Sequence, residues 1–377
     1  MQKKVLIVDD SALMRRVLSD IINLDSRFHV AKAATNGQEA FQLLVQEREL
    51  FDAVLLDINM PKMNGLELLE QLERNKVKAT VIIVSTVAKE GAKETIRALE
   101  LGAFDFVTKP DSFFDVKSDS FKNKIIDCLS VATKLYQESI TPFSAKETAA
   151  LEQPVIHKTG LLESRKPPVI QLLREERPFR KTPYARRLVA IACSTGGPKA
   201  LQQVLPLLTQ DLGCSVLIVQ HMPEGFTASL ANRLNEMSSV TVKEAEDKEI
   251  LKSGVAYIAK GGSQMRLIQS ENGSLQLSVT VEPARNGLKP CADIMYESLI
   301  QTDLTDITCV VLTGMGGDGT KGIRQLKEKK NIYVIAQDEA TSTVYGMPKV
   351  VAEAGLVNEI VPLGQIAGAI QKNLGVH

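Results

Sequence analysis

The stretch LVAIACSTGGPKAL, residues 188–201, decides the fold of the second half of the chain. An apolar, strand-forming run ends at Ser194, two glycines follow, and Pro198 suits the first turn of a helix because it has no N–H to leave unpaired. The pattern predicts a buried strand, a sharp turn and a helix N-terminus. A serine at that corner is placed as a nucleophile, since the free N–H groups of the helix can stabilise an oxyanion. A phosphate-cradling turn or a turn that only packs tightly would have the same pattern.

Length and composition limit the classes of protein to consider. The chain has 377 residues, more than the roughly 250–300 that one core usually organises, so two domains are expected. Its 45 basic and 45 acidic residues balance, which gives no general attraction to nucleic acid or to an anionic membrane. The five cysteines form no CxxC pair, which is typical of a reducing compartment. No apolar run approaches the roughly 18 residues of a membrane span, and the first one is too short for a signal peptide. We expect a soluble, cytoplasmic protein.

Residues 1–128 alternate between short apolar runs and amphipathic helical patterns. The runs are VLIV at 5–8, FHVAKA at 28–33, AVLLD at 53–57, VIIV at 81–84 and FDFV at 104–107, and the helical patterns cover 11–24, 36–47, 64–75 and 89–101. Strands and helices that alternate in this way favour a parallel sheet with helices on both faces. The first domain is therefore predicted to be an α/β fold built from parallel βαβ units.

Polar side chains follow the strands of this first domain. Asp9 and Asp10 follow the first strand, Asp57 ends the third, Ser85 follows the fourth and Lys109 follows the fifth. In parallel sheets the chemistry collects beyond the carboxyl ends of the strands. Three carboxylates at one edge repel each other unless a cation shares the site, and Mg²⁺ is the natural guest for oxygen ligands. The lysine and the hydroxyl would then face a phosphoryl group, whereas each residue taken alone is also a common turn former.

The motifs VDDS, LLDINMPKMNG, VIIVST and FVTKP resemble the receiver domain of two-component response regulators. The resemblance implies a flavodoxin-like (βα)5 fold for the first domain. It also implies that Asp57 accepts a phosphoryl group from a sensor histidine kinase and helps Asp9 and Asp10 to hold Mg²⁺. It also implies three switch residues, which are Ser85, Phe106 and Lys109. Such a domain is a switch, because an acyl phosphate adds about −2 charge at one point.

Residues 129–187 differ in composition from both flanks. Six prolines mixed with charged residues predict an extended, mobile connector, and the prolines stand at 142, 154, 167, 168, 178 and 183. A short helix at 169–176 could dock on a domain or stay solvated. The basic cluster at 174–187 directly precedes a buried strand, so a solvated linker is favoured over a nucleic-acid site.

Residues 188–377 return to alternation and predict a second domain. Strands are expected at 188–193, 215–220, 240–244, 308–312 and 332–336, with helices at 198–208, 225–236, 291–302 and 320–329. Short runs at 255–259, 265–269 and 275–280, separated by glycine turns, indicate an antiparallel insertion. The predicted architecture is a doubly wound, mostly parallel α/β sheet.

Three residues at the ends of these strands form a candidate catalytic set: Ser194, His221 and Asp318. A serine is a weak nucleophile until an imidazole takes its proton, and the imidazole needs a carboxylate to orient it. His221 is the one histidine of four that lies at a strand end in this domain. Asp318 competes with three other aspartates that helix capping or loop turns explain, Asp293, Asp303 and Asp306.

Two alternatives to this set are open at this stage. Cys193 could be the nucleophile with His221 as its base, although the last residue of a buried strand should point into the core, where a thiol is inert. The loop TGMGGDG at 313–319 could bind phosphate, but it lacks the lysine and hydroxyl pair of a P-loop.

The motifs ACSTGGPKAL, QHMPEGF and LTGMGGDG resemble the catalytic domain of chemotaxis protein-glutamate methylesterases, and the order of receiver, linker and esterase is that of the same family. The resemblance implies a triad of Ser194, His221 and Asp318, with Met315 contributing its backbone to the oxyanion site beside Thr195 or Gly196. One departure is Ala192, since a G-x-S-x-G elbow has glycine two residues before the serine.

The expected function is that of a phosphorylation-activated hydrolase. It would remove methyl groups from glutamate esters on the cytoplasmic helices of chemoreceptors and would deamidate receptor glutamines, with no cofactor for the ester chemistry. Unphosphorylated, the first domain should cover the catalytic edge of the second. We expect a monomer that binds no nucleic acid and does not insert into a membrane. The alternative is a response regulator whose second domain binds a partner protein without catalysis.

Overall fold

Two parallel sheets organise the chain in this computed structural model, which describes residues 2–46, 50–86, 89–110, 119–135 and 186–376. The first sheet has five strands in the order β2-β1-β3-β4-β5, all parallel. Its strands are β1 (Lys3–Val8), β2 (Phe28–Ala34), β3 (Ala53–Leu56), β4 (Val81–Ser85) and β5 (Asp105–Thr108). Its helices are α1 (Ala12–Leu24), α2 (Gly37–Gln46), α3 (Gly65–Arg74), α4 (Lys89–Glu100) and α5 (Asp119–Ala132).

Helix starts in the first domain follow capping residues in the sequence. The Ser11 side chain accepts the N–H of Met14 at the start of α1. At α3, Asn64 and Glu67 form a reciprocal capping box, which satisfies two N–H groups that the first turn leaves without helical partners. Both loops follow strands whose side chains are buried, so these caps fix the carboxyl edge of the sheet where the polar residues lie.

The second domain is built on a sheet of seven strands in the order β14-β13-β12-β6-β7-β9-β8, all parallel. Its strands are β6 (Arg187–Cys193), β7 (Ser215–Gln220), β8 (Thr241–Glu244), β9 (Val255–Ile258), β12 (Asp306–Val311), β13 (Ile332–Gln337) and β14 (Glu359–Val361). The strands β10 (Gln264–Gln269) and β11 (Leu275–Thr280) form a separate antiparallel pair. Its helices are α6 (Gly197–Val204), α7 (Phe226–Met237), α8 (Ala292–Ser298), α9 (Thr320–Lys329), α10 (Met347–Glu353) and α11 (Ile366–Leu374).

The predicted α/β fold class is confirmed, with one difference in the insertion. Residues 255–258 were expected in the antiparallel insertion, but β9 lies inside the main sheet between β7 and β8. Its last three residues are buried, as in a strand covered on both faces, so its apolar run belongs to the parallel pattern. Only β10 and β11 form the insertion.

The described parts on either side of residues 136–185 form one compact unit. The predicted domain boundaries stay predictions: α5 runs to Ala132, past the expected end at 128, and most of the predicted connector, including the helix at 169–176, lies outside the described residues. In the part of the chain that the structure describes, no helix is both long enough and apolar enough to cross a membrane.

Candidate active site and phosphoryl site

Three adjacent strands of the larger sheet carry the predicted catalytic set. Ser194 follows β6 at the centre, His221 follows β7 on one side, and Asp318 lies in the loop after β12 on the other side. Strands β7 and β12 lie on opposite sides of β6, so the direction of the strand order changes at β6. Ligands of doubly wound sheets bind at such a switch point. The fold therefore brings residues more than a hundred positions apart to one edge.

His221 and Asp318 are in direct contact, since His221 Nε2 lies 2.8 Å from Asp318 Oδ2. Both side chains are nearly buried, with 10% and 6% of their surface exposed. Burial acts to raise the pKa of Asp318, but the hydrogen bond and charge of His221, with backbone N–H donors, outweigh it and the pKa lies below its usual value. Asp318 is therefore held as a carboxylate that orients the imidazole.

The loop that bears Asp318 is held by the start of α8. Asp318 Oδ1 accepts the Cys291 thiol at 3.2 Å and the Asp293 N–H at 3.1 Å, and Oδ2 accepts the Ala292 N–H at 2.6 Å. Asp293 itself accepts the N–H groups of Gly319 and Gly322, so it caps α9 rather than its own helix. Sequence reasoning assigned Asp293 to capping but missed which helix it caps, because that partner is 26 residues away.

Ser194 and His221 line one cavity of about 210 Å³, together with Thr195 and Met315. Among the described residues, Ser194 Oγ makes no hydrogen bond, so the Ser194–His221 contact of the predicted triad is not formed in this structure. Gly314 packs directly behind the serine: a Cβ at that position would lie 2.7 Å from Ser194 Cβ. This close approach explains a glycine there.

The backbone around the cavity offers unused donors. In the described portion of the chain, the N–H groups of Thr195, Gly196 and Met315 donate to no other group. The Thr195 carbonyl is instead fixed by the Thr313 hydroxyl at 2.9 Å. Free N–H groups beside a nucleophile can stabilise an oxyanion.

Cys193 and Ala192 behave as core residues. Both are fully buried in β6, and burial raises the pKa of the Cys193 thiol far above its usual range. The thiol is therefore neutral and points away from solvent, which disfavours Cys193 as the nucleophile. Ala192 packs in a different buried hydrophobic cluster from Cys193.

The receiver-like edge of the first sheet brings its charged residues together as well. Lys109 Nζ lies 2.9 Å from Asp9 Oδ2 and 2.8 Å from Asp57 Oδ2. Burial raises the pKa of Asp57 despite the Lys109 charge. Burial would lower the pKa of Lys109, but the charges of Asp57 and Asp9 raise it above its usual value. Carboxylate oxygens of Asp9, Asp10 and Asp57 lie within 4.8 Å of one another, a spacing and donor type that fit a divalent cation such as Mg²⁺.

Two family models match the chain, one in each half. Residues 189–370 match the family model of the CheB methylesterase, and residues 5–117 match that of the response regulator receiver domain. A protein-glutamate methylesterase/protein-glutamine glutaminase of Geobacillus kaustophilus is 41% identical over 372 residues, which cover 99% of both chains. The enzyme of the same name from Bacillus subtilis is 37% identical over 367 residues and 97% of both chains.

The chain belongs to the CheB methylesterase family. Its order is that of a response regulator with a receiver domain ahead of a hydrolase domain, as expected. The Thermotoga maritima CheB methylesterase catalytic domain, a solved structure, is 38% identical, with 50% of this chain and 99% of that one covered at a TM-score of 0.47.

The receiver domain of this family member covers the edge of the methylesterase domain where Ser194 and His221 lie. Phe104, Asp105, Phe106, Val107 and Thr108 line the same cavity as Ser194 and His221. Asp105 Oδ2 accepts the hydroxyl of Thr195, the residue after the predicted nucleophile, at 2.6 Å. Burial raises the pKa of Asp105. Sequence reasoning missed this contact, although a carboxylate inside the apolar run FDFV was a signal that it needed a partner.

Three further contacts join the domains. The predicted switch residue Phe106 stacks on Phe226 of α7 with ring centroids 4.7 Å apart. Glu100, the last residue of α4, pairs with Arg233 and also accepts Gln202 at 3.3 Å. Ser85, predicted as the switch hydroxyl, is buried and donates to the Thr86 and Gly91 carbonyls.

Proposed function

We propose that this chain hydrolyses glutamate methyl esters on the cytoplasmic helices of a chemoreceptor and deamidates receptor glutamines by serine acyl-enzyme catalysis. The observation that carries the proposal is the His221–Asp318 hydrogen bond at the rim of the cavity that Ser194 lines. The full-length relatives are named protein-glutamate methylesterase/protein-glutamine glutaminase, which supports the substrate class.

The reaction begins with attack of Ser194 Oγ on the γ-carbonyl carbon of the ester. Because His221 Nε2 is engaged by Asp318, the proton passes to Nδ1, and Asp318 stabilises the imidazolium. The free N–H groups of Thr195, Gly196 and Met315 are the proposed donors to the tetrahedral oxyanion. When the tetrahedral species collapses, the imidazolium returns the proton to the methoxy oxygen and methanol leaves.

Water completes the cycle. It attacks the glutamyl-serine carbonyl, gives a proton to His221, and the second collapse returns that proton to Ser194 Oγ while the free glutamate leaves. A glutamine in the same position forms the same acyl-enzyme with ammonia as the leaving group. The two activities therefore need one set of side chains.

The receiver domain is proposed to control access to this site. Asp9, Asp10 and Asp57 would hold Mg²⁺, which would neutralise phosphoryl charge during transfer from a sensor histidine kinase to Asp57. In the structure Lys109 pairs with Asp57, and a phosphoryl group on that carboxylate would give the lysine new acceptor oxygens. Lys109 follows the strand that carries Asp105 and Phe106, so its displacement would loosen the contacts that cover Ser194.

The test is release of tritiated methanol from methylated receptor membranes by the parent and by Ser194→Ala, each with and without acetyl phosphate. We expect parent activity to rise with acetyl phosphate and the variant to lose at least about 10³-fold under both conditions. Methanol release by Ser194→Ala at the parent rate would refute the assignment. A binding-only second domain would give no release from the parent.

A further inference from the structure

Gln220, the last residue of β7, joins the two loops that carry the proposed nucleophile and base. Its side chain is buried, with 2% of its surface exposed. Its amide nitrogen Nε2 donates to the Ser194 carbonyl at 3.0 Å and to the His221 carbonyl at 3.2 Å. One side chain therefore contacts the backbone of both residues that must meet during proton transfer.

The two acceptors fix which way this amide points. Both are carbonyl oxygens, so only the NH₂ end can face them, and a flipped amide would place Oε1 against two acceptors. In its present orientation Oε1 is buried and has no hydrogen-bond partner among the described residues. A buried acceptor without a partner is destabilising, so the arrangement is not the one that stability alone would select.

A second buried glutamine shows the contrast. Gln264 has both ends of its amide satisfied, since Nε2 donates to the Leu288 carbonyl and Oε1 accepts the Cys291 N–H. Gln220 instead uses both donors on the Ser194 and His221 loops and leaves its oxygen without a partner. The difference points to a role in the geometry of the site.

Gly197 supplies the space that this amide needs. A Cβ at residue 197 would lie 1.9 Å from Gln220 Oε1, so any larger residue would displace the side chain. The Gly197 N–H also donates to the Ser194 carbonyl at 2.7 Å. That carbonyl is thus held from two directions.

Holding the Ser194 carbonyl has a consequence for the oxyanion site. The peptide between Ser194 and Thr195 is planar, and in a trans peptide the C=O and N–H bonds point in opposite directions. Fixing the carbonyl against Gln220 and Gly197 therefore directs the Thr195 N–H to the opposite side of the peptide. That N–H is one of the free donors described above.

We propose that Gln220 is a positioning residue, which sets the distance between the Ser194 and His221 loops and the direction of the Thr195 N–H. The inference rests on the proposed function, because it assumes that Ser194 and His221 are nucleophile and base. A displacement of about 1 Å at reacting groups can cost about 10²-fold in rate. Loss of the two Gln220 hydrogen bonds should therefore lower the rate of the chemical step and leave binding of the receptor largely intact.

The test compares Gln220→Met, which keeps the approximate volume and removes both donors, with Ser215→Ala in the full chain. Ser215 begins the same strand, is also buried, and donates its hydroxyl to the Lys252 carbonyl at 2.9 Å, far from the site. With acetyl phosphate and Mg²⁺ present, Gln220→Met should lower kcat for methanol release about 10- to 100-fold with KM within about twofold. Ser215→Ala should keep the parent kcat.

Labelling by a fluorophosphonate separates positioning from a loss of folded protein. The Gln220→Met chain should reach the parent stoichiometry at Ser194 but with a rate constant lowered about as much as kcat. Gln220→Asn, too short to reach both carbonyls, should behave alike if the methionine variant does not fold. If a folded Gln220 variant has the parent kcat while Ser194→Ala is inactive, this inference alone is overturned. An active Ser194→Ala overturns the proposed function and this inference together.

Discussion

Both sheets place polar side chains at the carboxyl ends of their strands, but the charged and polar groups around the central aspartate differ. At the receiver edge, Asp9 and Asp57 share one lysine, so carboxylates face each other across a few ångströms. At the esterase edge one carboxylate, Asp318, is surrounded by an imidazole, a thiol and backbone N–H groups. The same topological position therefore carries the proposed site for a phosphoryl group and a cation in one domain and the proposed site for acyl transfer in the other.

The pKa values of the two central aspartates move in opposite directions. Burial raises the pKa of Asp57, and Asp9 adds to that rise while Lys109 opposes it. Burial also acts on Asp318, but His221 and the backbone donors outweigh it and the pKa falls. Hydrogen-bond donors, and not burial alone, decide whether a buried carboxylate is stabilised in its charged form.

The largest effect expected from this comparison is on catalysis. Asp318→Asn keeps the shape of the side chain but removes the charge that stabilises the His221 imidazolium, so kcat for methanol release should fall about 10⁴-fold. Asp303→Asn is the matched control, since Asp303 pairs with Arg186 at the surface, and it should keep the parent kcat. A loss of less than about tenfold in Asp318→Asn would remove Asp318 from the mechanism.

A smaller effect should follow from opening the contact between the domains. Phe106→Ala removes the stack on Phe226, worth about 1 kcal/mol beyond the area it buries. Activity without acetyl phosphate should rise about tenfold, and stimulation by acetyl phosphate should shrink correspondingly.

Arg233→Ala offers a graded comparison for the same contact. The Arg233 side chain is 38% exposed, and such ion pairs contribute about 0–1 kcal/mol, so unstimulated activity should rise by less than about fivefold. Unstimulated activity equal to the parent in Phe106→Ala would show that the covered face does not limit turnover.

The smallest effect concerns stability and should have opposite signs at the two edges. A carboxyl group whose pKa is raised in the folded state stabilises the fold only at low pH, and this stabilisation is lost as the pH rises through the folded pKa. Asp57→Asn should therefore increase the free energy of unfolding at neutral pH. A carboxyl group whose pKa is lowered in the folded state stabilises the fold above its unfolded pKa, and this stabilisation is lost as the pH falls through the folded pKa. Asp318→Asn should therefore decrease the free energy of unfolding at neutral pH. Urea unfolding at pH 7 should show both changes, each on the order of 1 kcal/mol.

The same experiment has a pH control. At a pH well below the usual carboxyl value, both differences should diminish, because the carboxyl groups are then protonated in the folded and unfolded chains. Destabilisation of equal size by the two variants at neutral pH would contradict the proposed contrast.

Local patterns predicted most of the elements and the placement of the polar residues. The strand 215–220 and the helix 320–329 have the predicted bounds, because an apolar run defines the strand and a glycine loop precedes the helix. The elements after residue 337, two helices and a short edge strand, were not predicted, because β14 has only three residues and its pattern is short. β9 was assigned to the wrong sheet because its neighbours along the chain form a hairpin.

Contacts between distant segments were beyond sequence reasoning. The Thr195–Asp105 hydrogen bond and the Phe106–Phe226 stack join residues 90 and 120 positions apart, and no local period encodes such pairs. The hydrogen bonds of Asp318 with the start of α8 are also tertiary contacts, as are those of Gln220 with the Ser194 and His221 carbonyls. Each set depends on where a loop from another part of the chain lies. The residue types at the strand ends predicted which side chains form the candidate site. The contacts that hold those side chains in place come from tertiary packing.

The most direct test of the account is labelling of the full chain by a fluorophosphonate, with the modified peptide identified by mass spectrometry. A hydroxyl activated by His221 beneath the receiver domain should give one label, on Ser194, at a rate that acetyl phosphate increases and that His221→Ala lowers by at least about 10²-fold. Labelling at another residue, or an equal rate in the parent and in His221→Ala, would contradict it.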